Sequence, residues 1–245
     1  MYDYAKISTT LELHGGDVEV LSERNKCLRE WEWPWTLKIA REWPVRGRSL
    51  DAGCGASRMP MWMGEMGYQP TGVDNFDYAD ANPDYVERAR RHFAANDPTV
   101  TGYDLVEASL DDMPFEDNSF EVITCVSVME HIYDPKKPLA HHKHLDEMKR
   151  VLRPGGLLIC TYDVHITPGI NDRVLGFDYI IDVEYLTRTG MRPLVPGHIV
   201  NRVDMALDCD TLSYPPYIFM KNHYKCKPMF CRQTSFGFAL VKLEK

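Results

Sequence analysis

From residue 46 onward the chain alternates short, almost wholly apolar runs with longer stretches of helical character. Ser49–Ala52, Thr71–Val73, Leu105–Glu107, Phe120–Val128 and Leu157–Tyr162 read as strands. In the fourth of these, Val122, Ile123, Cys125, Val126 and Val128 leave almost no polar face. Strands apolar on both sides must be covered on both sides, and the stretches between them suit crossover helices. Asn82–Ala95 and Pro138–Leu152 supply two such helices, the second with Leu145, Met148 and Leu152 on one face. The pattern predicts an α/β fold, a doubly wound and mostly parallel sheet with helices on both faces.

The flanks are different. Four of the five tryptophans fall within Trp31–Trp43. Asp17–Trp43 is helix-compatible, with Pro34 expected to break the helix or to start a second one. Residues 1–45 are therefore expected to form an N-terminal helical cap, the tryptophans packing on the domain that follows. Residues 46–245 form that domain. An insertion is expected at about 193–232, where Pro193, Pro196, Pro215, Pro216 and Pro228 interrupt any regular pattern. Asp182–Thr189 reads as a short helix and Ser235–Leu243 as the last strand.

Composition excludes some partners. Lys plus Arg is 28 against 36 Asp plus Glu, a formal net charge of −8. Nucleic acid and anionic membrane would both be repelled at long range. The seven cysteines are scattered and odd in number, which predicts free thiols in a reducing cytoplasm. The chain shows neither a signal-peptide pattern nor a run of about 18 apolar residues.

The motif that carries chemistry is Leu50-Asp51-Ala52-Gly53-Cys54-Gly55-Ala56-Ser57-Arg58, at a strand-to-helix junction. Gly53 and Gly55 allow a tight turn and close approach of a ligand to the main chain. Asp74 follows Gly55 by nineteen positions, at the end of the second strand. An acid there can accept hydrogen bonds from the ribose hydroxyls of an adenosine cofactor. A dinucleotide site wants a third glycine three residues after Gly55, and Arg58 stands there instead. Asp51 suits a cationic cofactor with an amino-acid tail better than a pyrophosphate. The residues favour S-adenosylmethionine over NAD.

Residues 46–162 resemble the class I S-adenosylmethionine-dependent methyltransferases, in the small-molecule and glycan-type group that includes ubiquinone-biosynthesis enzymes. Four landmarks carry the resemblance in order: Leu50–Gly55, Gly72-Val73-Asp74, Ala108–Phe120 and Arg150–Gly156. The resemblance implies a Rossmann-like, seven-stranded sheet, S-adenosyl-L-methionine as cofactor and S-adenosyl-L-homocysteine as product. It implies cofactor contacts from Asp51, Gly53, Gly55, Asp74, Asn75, Ser109, Leu110 and Val126. Two positions depart from the family. Ser57 stands where a third glycine is common, and Ser109 stands where an adenine-contacting Asp is common.

The candidate catalytic residue is His131, in Val128-Met129-Glu130-His131-Ile132 just past the fourth strand, placed to act as a general base. Asp163 and His165 follow the fifth strand at the cleft edge. No metal is expected. His141, His142 and His144 read as a solvated helix surface, and the spacing of Cys209, His223, Cys226 and Cys231 matches no standard zinc pattern. Tyr214, Tyr217, Phe219 and Tyr224 would pack within the insertion or wall an acceptor pocket. The expected function is methyl transfer to a small-molecule or sugar acceptor. The alternatives are a methyltransferase acting on RNA or protein and a non-catalytic cofactor-binding protein.

Overall fold

A computed structural model describes residues 1–17, 28–76, 87, 89–92, 95, 102–134, 136–137, 139–166, 179–212 and 233–244. Its strands are β1 (Tyr2–Tyr4), β2 (Arg48–Ala52), β3 (Gln69–Asp74), β4 (Asp104–Glu107), β5 (Phe120–Val126), β6 (Leu152–His165), β7 (Met191–Pro193) and β8 (Gln233–Lys242). Its helices are α1 (Ile7–Leu13), α2 (Arg29–Glu42), α3 (Met59–Glu65), α4 (Met129–Ile132), α5 (His142–Val151), α6 (Tyr179–Arg188) and α7 (Arg202–Leu207). Most of the helix expected at Asn82–Ala95, and Tyr214, Tyr217, Phe219, His223, Tyr224, Cys226 and Cys231 of the expected insertion, lie outside the described residues.

The strands form one sheet in the order β1-β8-β6-β5-β2-β3-β4, with β7 also paired to β8. Neighbours from β4 to β6 are parallel, and β8 runs against β6, β1 and β7. The sheet has eight strands where seven were expected. The addition comes from the front segment, whose Tyr2–Tyr4 pairs with Phe236–Phe238 and covers part of the β8 edge.

Side chains alternate across the sheet as pleating requires. Ile123, Cys125, Leu158, Cys160, Tyr162, Phe236 and Phe238 face α5 and α6. Val122, Leu157, Ile159, Ala239 and Val241 face α2 and α3. The expected tryptophan packing is observed: Trp31 and Trp35 stack at 5.0 Å and are buried on this second face. They lie over Gly237 of β8, where an added Cβ would come within 2.6 Å of the Trp35 ring and 3.2 Å of the Trp31 ring. Gly237→Val is expected to cost about 1–3 kcal/mol of stability through overpacking. Urea unfolding checks this, and an unchanged midpoint would mean that α2 can withdraw from the sheet.

Pro34 does not break α2, which runs through it from Arg29 to Glu42. A proline nitrogen cannot donate to the carbonyl four residues earlier, here that of Glu30. The His14 ring lies 2.8 Å from that carbonyl oxygen and replaces the missing donor. α1 therefore repairs α2, a compensation between segments that a local reading of proline misses.

Two strand ends also differ from expectation. β5 stops at Val126 because Ser127 takes a left-handed conformation, φ 49°. β6 begins at Leu152, and Pro154-Gly155-Gly156 is a bulge within it, with the register shifting between Phe120 and Val122.

Candidate active site

In open α/β sheets the ligand crevice lies beyond the carboxyl ends of the parallel strands. Here the ends of β2, β3 and β5 meet there. Asp51, next to last in β2, is buried. Its Oδ1 accepts from the Thr124 hydroxyl at 2.8 Å and its Oδ2 from the Ser57 hydroxyl at 3.0 Å. The Ser57 oxygen also accepts from the Met59 N–H at 3.0 Å, at the start of α3. Ser57 thus has a task that glycine could not perform, tying Asp51 to the helix start.

Gly53 and Gly55 both have positive φ, 74° and 48°. The N–H groups of Gly53 and Cys54 donate to the Val73 carbonyl at 2.8 and 3.0 Å, so the turn folds back onto β3. A Cβ at Gly53 would lie 2.6 Å from each γ-methyl of Val128, so this cradle admits only a bare backbone. Asp74 closes the turn. Its Oδ2 accepts from the Gly55 N–H and its Oδ1 from the Phe76 N–H, each at 2.8 Å. A carboxylate offers about four acceptor positions, a chemistry that suits a diol.

The other expected contacts surround this point. Asn75 is exposed, and Phe76 is buried with φ 56°. The Ala108 N–H donates to the Asp74 carbonyl at 3.0 Å, which brings Ser109 beside β3. The Ser109 hydroxyl donates to Asp111, which also pairs with Lys143. Those partners hold the Asp111 carboxyl down at about 2. With its proton committed, Ser109 presents lone pairs. The Leu110 side chain belongs to the core, which leaves its backbone for ligand contact. Val126, half-buried, ends β5. His131 is exposed on α4. Phe76 and Ser127 are two of the three non-glycine residues with positive φ among those described, and both sit at strand ends on this rim.

One group was not foreseen. Behind the rim, Arg29 and Glu32 of α2 meet Ser127, Glu130 of α4 and Asp163 of β6. Arg29 pairs with Glu32 and donates to Ser127. The Ser127 hydroxyl lies 2.7 Å from Glu32 Oε1, and the Asp163 N–H donates to Glu130 Oε1 at 3.1 Å. Burial and then the Asp163 charge push the Glu130 carboxyl well above its usual range. Burial and then Glu32 raise Asp163 to about 6, against the pull of Arg29. The available signal was Arg29 and Glu32 one helical turn apart amid tryptophans, charged residues inside an apolar face. The side chain of His165 lies outside the described residues.

Asp51 is likewise pushed up to about 7, first by burial and also by the Asp74 charge, against the bonds from Thr124 and Ser57. A carboxyl whose folded pKa is raised stabilises the fold fully below its unfolded value of 3.8, and that contribution is lost as pH rises through the folded value. The ligand-free protein is therefore expected to lose stability between about pH 4 and 7, where Asp163 and Asp51 are ionised in the unfolded chain but still hold their protons in the folded one, the Asp163 contribution ending near 6 and that of Asp51 near 7. Asp51 alone accounts for an order of 3–4 kcal/mol. Thermal unfolding across that range checks it. Asp51→Asn should flatten the slope, and an equal slope in the variant would remove Asp51 as its source.

The three histidines of the His-His-Lys-His run are not solvated. His141, His142 and His144 are 4%, 9% and 8% exposed. His141 and His142 turn toward Asp182 of α6. Nothing in the local sequence announces a helix packed over them, because α6 is distant in the chain.

Comparison with known proteins agrees with this geometry. Residues 50–160 match the family model described as "Methyltransferase domain". The chain is 29% identical over 155 residues to a ubiquinone biosynthesis O-methyltransferase of Cereibacter sphaeroides, covering 60% of this chain and 56% of that protein. It is 31% identical over 153 residues to a tRNA U34 carboxymethyltransferase of Hahella chejuensis, covering 60% of this chain and 41% of that protein. The chain thus spans about half the length of the curated relatives it matches. The crystal structure of the PH0226 protein from Pyrococcus horikoshii superposes with a TM-score of 0.54 at 15% identity, covering 94% of this chain and 98% of that one, a likeness of fold. Among the described residues no helix is long and apolar enough to cross a membrane. Over residues 50–160, then, the stretch that holds the glycine turn and Asp74, the chain is similar to the methyltransferase-domain family.

Proposed function

We propose that the protein transfers a methyl group from S-adenosylmethionine to a hydroxyl of a small molecule, a phenol or a sugar. The observation that carries this reading is the Asp74 carboxylate, fixed by the Gly55 and Phe76 N–H groups beside a turn that admits only backbone. Asp74 would hold the ribose hydroxyls. The Gly53–Gly55 turn would lie along the amino-acid tail, with Asp51 behind it as the negative partner. Ser109, the Leu110 backbone and Asn75 would bound the adenine, and Val126 would form a wall.

The cofactor supplies a methyl group that is already activated, so the protein's task is alignment and exclusion of water. A hydroxyl acceptor must also lose a proton. His131, exposed on α4 just past β5, is the proposed base, because imidazole as a residue type changes charge near neutral pH. The acidic charge of −8 favours a small acceptor over RNA, which the tRNA-modifying relative raises as the alternative.

Labelled S-adenosylmethionine, offered with simple catechols, with sugars and with bulk tRNA, tests the proposal. Label is expected in a hydroxylated small molecule. His131→Ala should lower that turnover by about 100-fold while leaving affinity for S-adenosylhomocysteine unchanged. Label entering only tRNA would overturn the acceptor class, and full activity in the variant would remove His131 as base.

A further inference from the structure

Asp182 is wholly buried in the first turn of α6, and among the described residues no lysine or arginine pairs with it. Its charge is met by two imidazoles from consecutive residues at the start of α5. The Nε2 atoms of His141 and His142 lie 2.6 and 3.2 Å from the same Asp182 oxygen, Oδ1. One ligand-type atom from each of the three residues lies within 4.8 Å of the others. Their side chains are only 3%, 11% and 0% exposed.

The surroundings fix all three groups. Tyr133 meets the His141 ring edge-on with centroids 5.6 Å apart. Tyr185 stacks on the His142 ring at 4.1 Å and is itself anchored by a 2.6 Å bond to Asp146. The Tyr162 hydroxyl donates to the other Asp182 oxygen at 3.4 Å. Oriented rings and a hydrogen-bonded carboxylate are the supports that metal ligands receive in built sites.

A carboxylate in a dry pocket with no lysine or arginine beside it among the described residues is a place where a bound cation would be held. We infer that His141, His142 and Asp182 bind a divalent first-row metal ion that pins the first turn of α5 to that of α6. Two nitrogens and one oxygen suit Zn2+, with a further position left for water or a hydroxyl. Tetrahedral Zn2+ places its ligands about 3.3 Å apart, so Asp182 and His141 need to separate by less than about 1 Å. The site lies on the α5–α6 face of the sheet and is independent of the methyl-transfer reading.

The test uses the full chain, stripped with chelator and titrated with Zn2+ against a competing chromophoric chelator. One equivalent should bind and should raise the thermal unfolding midpoint. His142→Gln and Asp182→Asn should each weaken that binding by at least about 100-fold, more than loss of an outer-shell partner costs, with S-adenosylhomocysteine affinity retained as the check on folding. Equal Zn2+ affinity in wild type and variants, or no binding by wild type, would overturn the inference. Co2+ loaded into the wild type gives a second readout if the variants fold poorly. A visible spectrum without a thiolate charge-transfer band is expected. A thiolate band would assign the metal to cysteines and overturn the site.

Discussion

Asp74→Ala is expected to weaken S-adenosylhomocysteine binding by at least about 100-fold. Hydrogen bonds to a charged acceptor are worth about 1.5–3 kcal/mol each, and two ribose hydroxyls would lose theirs. The change also strips the acceptor from the Gly55 and Phe76 N–H groups, which loosens the turn that meets the rest of the ligand. The buried setting of Asp74, 3% exposed, keeps solvent from replacing it cheaply. Asp74→Asn retains one acceptor oxygen and should lose less than the alanine variant. Titration calorimetry on variants whose unfolding midpoints have been checked gives the comparison. Wild-type affinity in Asp74→Ala would remove this residue from the site.

Gly53→Val is expected to abolish measurable cofactor binding and to cost about 2–5 kcal/mol of stability. Two separate penalties add. A side chain at φ 74° pays about 1–2 kcal/mol for the left-handed conformation, and a β-branched one is the least suited to it. The new Cβ also meets both Val128 γ-methyls at 2.6 Å, and overpacking adds about 1–3 kcal/mol. Combining the change with Val128→Ala separates the two. The double variant should recover the part due to collision and keep the part due to the dihedral. Recovery of wild-type stability would show that φ carries no cost at this turn.

The parallel sheet was legible because its information is local: an apolar run such as Val122–Val126 has only one plausible setting. The glycine turn and Asp74 were legible for the same reason, since spacing alone places them at adjacent strand ends. What escaped the sequence depended on distant partners. Pro34 reads as a break until His14 is known to reach the Glu30 carbonyl. Tyr2–Tyr4 is too short to announce a strand, and only the open edge of β8 makes it one. His141 and His142 read as surface until α6 brings Asp182 over them. Glu32 and Glu130 look like ordinary charges on helices, and their burial follows from α2 and α4 docking on the ends of β5 and β6.

The central claim is that the Gly53–Gly55 turn and Asp74 form a site for S-adenosylmethionine rather than for a dinucleotide. Titration calorimetry of the full-length wild-type chain with S-adenosylhomocysteine and, separately, with NAD tests it most directly. One equivalent of the thioether should bind, with no heat from NAD. Binding of NAD with none of S-adenosylhomocysteine would contradict the account.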